Sequence, residues 1–228
     1  MKGKEEGVRM AGPDAALEAW SLSSDVQDRP SVCGTSSVTR AFVLDGALTS
    51  EFTDVCFAHR FVMSMFPQSS HDAARAAMGI LFRVSDDRQA VVVRSTVAPE
   101  RERSGCRLLG QLTEPSLVVG GHYHFELLAA PTKCRYSDRR SVALEEARWL
   151  GWLEKHLPGC TILDVASEDR GELRGLDSRG RGVVAYHAAR FIGIIRCDAV
   201  PPLAACLENG VGKGRAYGLG LMVVRAVQ

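Results

Sequence analysis

The sequence carries almost no net charge, because 28 Lys and Arg residues stand against 27 Asp and Glu residues. This balance argues against a protein that is basic along its whole length, the composition typical of general nucleic-acid binders. The charges are nevertheless unevenly placed. Residues 1–37 contain four basic and six acidic side chains, whereas residues 131–228 contain 15 basic and 11 acidic ones. The excess in the C-terminal half indicates a local basic face, such as an RNA-binding surface.

Cysteine pairs and long apolar runs are also missing. The seven cysteines are an odd number, are widely scattered and form no C-x-x-C pair, which argues against a disulfide framework and a zinc ribbon. The sequence has no apolar run long enough to cross a bilayer, and its N-terminus lacks a secretory hydrophobic region. We therefore expect a protein of the reducing cytoplasm with no membrane partner.

The chain has enough apolar residues, 46%, to bury a core, but they are distributed unevenly. Residues 1–37 are rich in Gly, Pro, Ser and acidic residues and show no periodicity, which predicts a flexible extension. Order is expected to begin with a short strand at 38–44. A helix at 52–66, a hairpin at 79–94 and a strand at 122–129 should follow. Residues 96–120 have no clear pattern.

The second half repeats a similar order of elements. A helix capped by Ser141 is expected to run to about Leu157, followed by strands at 171–176 and 182–196. Pro201 and Pro202 then open a short helix that Gly210 ends, and a last strand covers 219–227. Two split β-α-β units of this kind predict an α+β protein of two tandem ferredoxin-like, RRM-like domains with antiparallel sheets. We place these domains at 38–136 and 137–228.

Residues 210–221 form a glycine-rich segment that also contains Lys213 and Arg215. Glycine lets the backbone turn its N–H groups toward a phosphate, and the two cations add charge. A dinucleotide-binding fingerprint is excluded because a strand follows where a helix is required, and the spacing of a Walker loop is missing. Spacing alone leaves two interpretations open: a turn between a helix and a strand, or an RNA-binding loop.

Other polar clusters suggest further contacts. Basic residues are dense between residues 133 and 140, with Tyr136 among them, and a second basic group lies near residue 179. Each set is typical either of a phosphate-binding surface or of ordinary solvated surface. The candidates are Lys133, Arg135, Arg139, Arg140 and Arg179.

His122, His124 and Glu126 would share one face of a strand, as zinc ligands sometimes do. The polar outer face of an amphipathic strand is the commoner cause of such a pattern. We expect no metal and no other cofactor.

The glycine-rich segment resembles the loop that closes the CasE family of CRISPR-associated endoribonucleases. The family pattern G-x-G-x-x-[KR]-x-x-G-x-G-L is matched in this sequence at the following positions: Gly210, Gly212, Arg215, Gly218, Gly220 and Leu221. In that family the loop helps to hold repeat RNA, so the resemblance implies that these glycines, Lys213 and Arg215 bind RNA. The resemblance covers about residues 38–228 and is most specific in the last third.

The family also carries a histidine on its first helix, a few residues before a Phe-Pro pair. Phe66-Pro67 fits this arrangement and places the histidine at His59. Histidine titrates near neutral pH, so it can give a proton to the oxygen that leaves when an RNA strand is cut. By itself, a histidine on a stripe with apolar residues is more often a residue at the edge of a core than a catalyst. The resemblance favours catalysis.

One position departs from the family. Several members carry a tyrosine one helical turn before the histidine, where this chain has Cys56. A thiol is a poor substitute for a phenol, so the second catalytic group is unassigned.

The resemblance implies a metal-independent endoribonuclease that cleaves precursor CRISPR RNA in the repeat hairpin, using the 2′-OH and leaving a 2′,3′-cyclic phosphate. It implies that the product stays bound by its 3′ hairpin, together with other Cas proteins of a type I-E surveillance complex (Cascade). The alternative is a subunit of the same type of complex that binds the hairpin without cutting it.

Overall fold

A computed structural model describes residues 37–44, 46–68, 73–100, 104–135, 140–177 and 182–227. The predicted extension at 1–37 therefore lies almost wholly outside the described residues. The first half forms a four-stranded sheet with order β2-β3-β1-β4, in which all neighbours are antiparallel. Its elements are β1 Val38–Leu44, α1 Val55–Met63, α2 Ala74–Ala77, β2 Leu81–Val84, β3 Ala90–Ser95 and β4 Cys106–Leu112. Short 3-10 turns at Gly46–Leu48 and Glu51–Thr53 precede α1.

The second half forms a four-stranded antiparallel sheet with order β10-β5-β9-β8. Its strands and helices are β5 His122–Ala129, α3 Trp149–His156, β8 Cys160–Leu176, β9 Val183–Cys197, α4 Val200–Asn209 and β10 Met222–Ala226. The remaining elements are a small hairpin and two 3-10 turns: β6 Thr132–Cys134, β7 Ser141–Ala143, Glu146–Arg148 and Arg215–Tyr217.

Both sheets have the strand order of a ferredoxin-like unit, in which the last strand lies beside the first and the third separates the first from the second. The prediction of tandem ferredoxin-like units is confirmed, with one difference. No helix joins β3 to β4 within residues 73–100 and 104–112, so the first unit lacks its second helix there.

The predicted boundary at residues 136 and 137 does not match the sheets. We had assigned strand 122–129 to the first unit, but β5 pairs with β9 and β10 and is the first strand of the second sheet. The fourth strand of the first sheet is β4, in the segment without a clear pattern. The change of sheet therefore falls between Leu112 and His122. The error arose because the alternation of β5 shows a half-buried strand but not its partner.

The helix predicted from Ser141 begins later. Ser141 lies in β7, which pairs with β6, and α3 starts only at Trp149. The amide of Leu144 donates to the carbonyl of Pro131 at 2.9 Å, and the indole N–H of Trp149 donates to the carbonyl of Leu144 at 3.0 Å. The pairing with β6 and these hydrogen bonds hold residues 141–144 in an extended conformation, so these residues cannot form part of the helix.

The sheets bury three layers of side chains. Helix α1 packs on one face of the first sheet through Ala58, Phe61 and Val62, and α3 and α4 cover one face of the second. The opposite face of the first sheet, including Leu81, meets Leu221 beside β10. This contact brings the start of β10, and hence the glycine-rich segment before it, close to the first sheet.

Ion pairs reinforce the contact between the sheets. The carboxylate of Glu126 on β5 accepts from Arg83 on β2 and from Arg190 on β9, each at 2.7 Å. Arg94 on β3 is fully buried and reaches Glu114 at 2.7 Å, and it also donates to the carbonyl of Leu207 on α4. Because removing one partner of a buried ion pair is costly, these bonds oppose separation of the two sheets.

Candidate nucleic-acid interface and cleavage site

The N-terminus of α1 is tied to the second sheet by Asp54. Its Oδ1 accepts from the amides of Cys56 and Phe57 at 2.7 and 2.9 Å, which caps the helix, and its Oδ2 accepts from the amide of Leu176 on β8 at 3.1 Å. Burial opposes ionisation, but these hydrogen bonds outweigh it and lower the pKa of Asp54. A side chain at Gly175 would collide with the amide of Cys56, so only glycine allows β8 this close to the helix.

Replacing Asp54 with alanine should lower the free energy of unfolding by about 1–2 kcal/mol, the usual loss for a helix cap, with an added loss from the bond to β8. Urea denaturation at pH 7 measures this. The effect should shrink as the pH falls below the ordinary carboxyl value of 3.8 toward the lower pKa of the folded state, because the stabilising carboxylate is then protonated. Asp164→Ala, at an exposed strand position, is the control and should change stability by less than about 0.5 kcal/mol. Equal losses in the two variants would contradict the role of Asp54.

His59 lies on α1, half-buried, where the helix meets the glycine-rich segment. Burial lowers the pKa of its imidazole, a hydrogen bond with the backbone of Ala216 raises it, and the charges of Arg75 and Arg60 lower it further. Its Nδ1 is buried and has no hydrogen-bond partner among the described residues. An unpaired, buried ring nitrogen is costly in a purely structural histidine, so its position favours a functional role.

The glycine-rich segment depends on left-handed backbone. Gly210, Gly212, Gly214, Gly218 and Gly220 all have positive φ angles, between 76° and 83°, a conformation that other residues rarely adopt. The amides of Gly210 and Gly220 donate to the carbonyls of Cys206 and Leu128. These two predicted RNA-binding glycines therefore shape the loop, because their N–H groups already have partners within the protein.

The turn at Arg215–Tyr217 brings an aromatic residue to the histidine. The ring centroids of Tyr217 and His59 lie 5.8 Å apart, and Tyr186 on β9 lies 5.9 Å from Tyr217 on the same measure. We did not single out either tyrosine from the sequence. Tyr217 stands within the twelve-residue segment, and an aromatic residue among glycines and cations could have drawn attention to it.

Four of the cations predicted to bind RNA lie near one another on the β6–β7 hairpin and the glycine-rich segment. Lys133 on β6 is exposed, as are Arg135 and Arg140, whose backbones are hydrogen-bonded at 2.8 Å near the tip of the hairpin. The ammonium group of Lys213 donates to the hydroxyl of Ser141 on β7. The β6–β7 hairpin and the glycine-rich segment therefore form a continuous surface, which we call the basic ridge: Lys133, Arg135, Arg140 and Lys213. Arg139, Arg179 and Tyr136 lie outside the described residues.

Arg215 differs from the other predicted cations, because its guanidinium donates to the carbonyl of Asn209 at 2.8 Å, at the end of α4. Arg75 on α2 likewise donates to the carbonyl of Ile80 at 2.6 Å. Burial lowers the pKa of Arg75, and the charge of Arg215 lowers it further, so these cations lie near each other. Arg75 also acts on His59. Arg75 was not among the candidates from the sequence. Together with Arg215 it creates a local excess of positive charge beside His59, which suits a phosphate.

The three residues considered as zinc ligands are used differently. His122 and His124 are exposed on β5, whereas Glu126 is half-buried and neutralised by Arg83 and Arg190. Burial raises the pKa of Glu126, but the two arginines outweigh it and lower the value. Among the described residues, no three His, Cys, Asp or Glu side chains are grouped so that they could hold a metal ion. Nor does any helix in the described ranges have the length and apolar character needed to cross a membrane.

Comparison with known proteins places the fold. Residues 37–226 match the model of a family described as CRISPR associated protein. The chain is similar to a CRISPR endoribonuclease Cse3 bound to a 19-nucleotide RNA, with 23% identity, a TM-score of 0.69, and 83% of this chain and 100% of the other covered. Escherichia coli K-12 Cas6e gives 19% identity and a TM-score of 0.64 over the same shares. A chain of a CRISPR RNA-guided surveillance complex gives 19% and 0.65, again over the same shares. No curated protein matches the sequence.

Proposed function

The chain belongs to the CRISPR associated protein family, and from this premise we propose that it is a metal-independent endoribonuclease that cuts precursor CRISPR RNA in the repeat hairpin. The observation that carries the proposal is the position of His59. It lies half-buried against the turn of the glycine-rich segment, beside Arg75, and Lys213 of the basic ridge belongs to the same segment. The glycine-rich segment therefore connects the proposed proton-transfer group with the proposed phosphate-binding surface.

The proposed reaction is a transesterification within the RNA. The 2′-oxygen attacks the adjacent phosphorus and loses its proton to solvent, while the bond from phosphorus to the 5′-oxygen breaks. His59 gives a proton to the departing 5′-oxygen, so the products are a 2′,3′-cyclic phosphate and a 5′-hydroxyl. Without RNA, burial and the nearby arginines lower the pKa of His59 and favour the neutral ring. An anionic phosphate placed against the ring raises that pKa again and charges the acid where it is needed.

RNA binding is assigned to the basic ridge, with Gly212 allowing the backbone to come close to a phosphate. Gly218 is buried against Phe82 and shapes the turn instead. Arg215 is more restricted, because its bond to Asn209 holds it against the protein. Arg139 and Arg179 remain predictions for the same role. Phosphate contacts position a hairpin, and local base contacts supply the sequence preference.

We further propose that the cleaved RNA stays bound by its 3′ hairpin and that the protein is a subunit of a type I-E surveillance complex. The shared fold with a chain of a CRISPR RNA-guided surveillance complex supports this assignment. A product held by several phosphate contacts dissociates slowly, which suits a subunit that remains on the RNA after cutting.

The second candidate is a hairpin-binding subunit that does not cut, and Cys56 in place of the family's tyrosine favours it. Incubation with an end-labelled repeat hairpin from the same genome separates the possibilities. We expect cut RNA that stays bound in a native gel. Intact bound RNA would favour the second candidate, and free intact RNA would contradict both.

Neutralising two cations of the basic ridge should weaken hairpin binding and flatten its dependence on salt. The Lys133→Gln, Lys213→Gln double variant should reduce the slope of log K against log salt by up to about two, since each lost phosphate contact removes a little less than one unit. Fluorescence anisotropy over a salt series measures this.

Arg107→Gln removes an exposed cation from β4 on the first sheet and is the control. It should leave the slope at the wild-type value. An unchanged slope in the double variant would show that Lys133 and Lys213 do not bind phosphates.

A further inference from the structure

Cys56 stands where several family members have a tyrosine, but its thiol cannot replace the hydrogen-bonding hydroxyl of a phenol. Cys56 is buried, with 6% of its surface exposed, and it packs where β8 crosses the start of α1. Burial and the nearby Asp54 carboxylate raise the pKa of its thiol. A buried, protonated thiol is a weak hydrogen-bond donor and cannot stabilise a phosphate as a hydroxyl does.

A different tyrosine lies beside the proposed catalytic histidine. Tyr217 lies far from His59 in the sequence, in the 3-10 turn of the glycine-rich segment, but the two side chains are close in space. Their ring centroids are 5.8 Å apart and the ring planes are inclined by 56°. The rings are therefore not stacked face to face. Tyr217 is half-buried and borders a cleft open to solvent, which Ala58 on α1 and Thr53 before it also line. His59 is not among the lining residues, so Tyr217 stands between this cleft and the histidine.

The turn that carries Tyr217 is held in place at both ends. Gly214 and Gly218 flank it in left-handed conformations with φ of 77° and 82°. The amide of Tyr217 donates to the carbonyl of Gly214 at 2.7 Å, and the guanidinium of Arg215 is bonded to Asn209. A backbone fixed in this way keeps the ring of Tyr217 beside His59 when a substrate binds, and such preorganisation is what a catalytic donor requires.

We propose that Tyr217 is a second catalytic residue, whose hydroxyl donates a hydrogen bond to a non-bridging oxygen of the scissile phosphate while His59 protonates the leaving 5′-oxygen. The inference rests on the proposed endoribonuclease function. No proton leaves the phenol in this step, and the bonds formed and broken are those of the transesterification. The hydrogen bond strengthens as negative charge builds on the phosphate in the transition state, so it acts on the rate more than on binding. The chain thereby supplies from its C-terminal loop the hydroxyl that its first helix lacks.

Tyr217→Phe tests the inference, because phenylalanine keeps the ring against His59 and removes only the hydroxyl. With the hairpin saturated by protein, the single-turnover rate should fall by about 10²-fold, while hairpin affinity and melting temperature stay near wild type. Tyr186→Phe is the matched comparison and should cut at the wild-type rate. A Tyr217→Phe rate equal to wild type, or a large loss confined to Tyr186→Phe, would overturn the assignment.

A substituted RNA provides a readout that a structural role would not move. Replacing one non-bridging oxygen of the scissile phosphate with sulfur weakens a hydrogen bond to that atom, because sulfur is a poor acceptor. One of the two phosphorothioate diastereomers should slow the wild-type protein and have little further effect on Tyr217→Phe. Equal slowing of both proteins by both diastereomers would contradict a direct contact.

Failure of this inference and failure of the proposed function give different results. If wild type cuts and Tyr217→Phe cuts equally fast, only the role of Tyr217 is wrong. If wild type binds the hairpin but never cuts it, both the endoribonuclease assignment and the role of Tyr217 are overturned.

Discussion

Replacing His59 with glutamine should reduce single-turnover cleavage of the repeat hairpin by about 10²–10⁴-fold, the usual contribution of a positioned acid or base. Glutamine has a similar size and can hydrogen-bond, but it cannot exchange a proton at neutral pH. Hairpin affinity should stay within about twofold of wild type, because binding depends on phosphate contacts of the basic ridge. Quench-flow or manual time courses with protein in excess measure the rate, and anisotropy measures the affinity.

His122→Gln is the matched control for this experiment. His122 is exposed on β5 and lies outside the site at His59, so its variant should cut at the wild-type rate. A His59→Gln protein that cuts as fast as wild type would show that the proton comes from elsewhere. A parallel loss of affinity and rate would instead indicate that His59 holds the RNA.

An RNA with a 2′-deoxy sugar at the scissile nucleotide should not be cut at all. In the proposed reaction the 2′-oxygen is the nucleophile, so its removal leaves nothing to attack the phosphorus. The deoxy hairpin should bind as well as the natural one, since the phosphates and the neighbouring sugars are unchanged. Gel analysis of both RNAs, with identification of the 2′,3′-cyclic phosphate on the natural product, measures the outcome.

The same experiment separates this reaction from metal-assisted hydrolysis. A nuclease that activates a water molecule on a metal ion would lose activity in EDTA and could still cut the deoxy RNA. We expect the natural hairpin to be cut equally well with and without EDTA. Chelator-sensitive cutting of the deoxy hairpin would contradict the mechanism.

The general plan of the fold could be predicted from the sequence because its signals are local. Alternation in β5 correctly indicates that Tyr123, Phe125, Leu127 and Ala129 are buried on one face. Helical periodicity before Phe66-Pro67 locates α1, although the helix itself is shorter than the predicted 52–66. The partner of β5 could not be predicted in the same way, because alternation is identical whichever sheet a strand joins.

The candidate site was only partly accessible from the sequence. His59 and the glycines were identified by a family resemblance, and the positive φ angles explain why glycine is required in the loop. The bond between Arg215 and Asn209 could not be anticipated, since one position in a sequence pattern does not show which groups the side chain will meet. The sequence likewise could not show whether Glu126 is a metal ligand or part of a polar strand face. In the structure it pairs with Arg83 and Arg190.

By itself, the sequence determined the position of α1 with its histidine, the alternation of β5 and the glycine-rich segment between the last helix and the last strand. These depend on residues close together in the chain, where periodicity and backbone preference act directly. Only the tertiary structure decided that Cys56 is buried, that Tyr217 stands beside His59 and that Lys213 meets the β6–β7 hairpin. Those contacts arise when two sheets pack face to face and bring the C-terminal loop onto the first helix. Burial of the apolar faces drives that packing, and local signals do not record which polar groups it brings together.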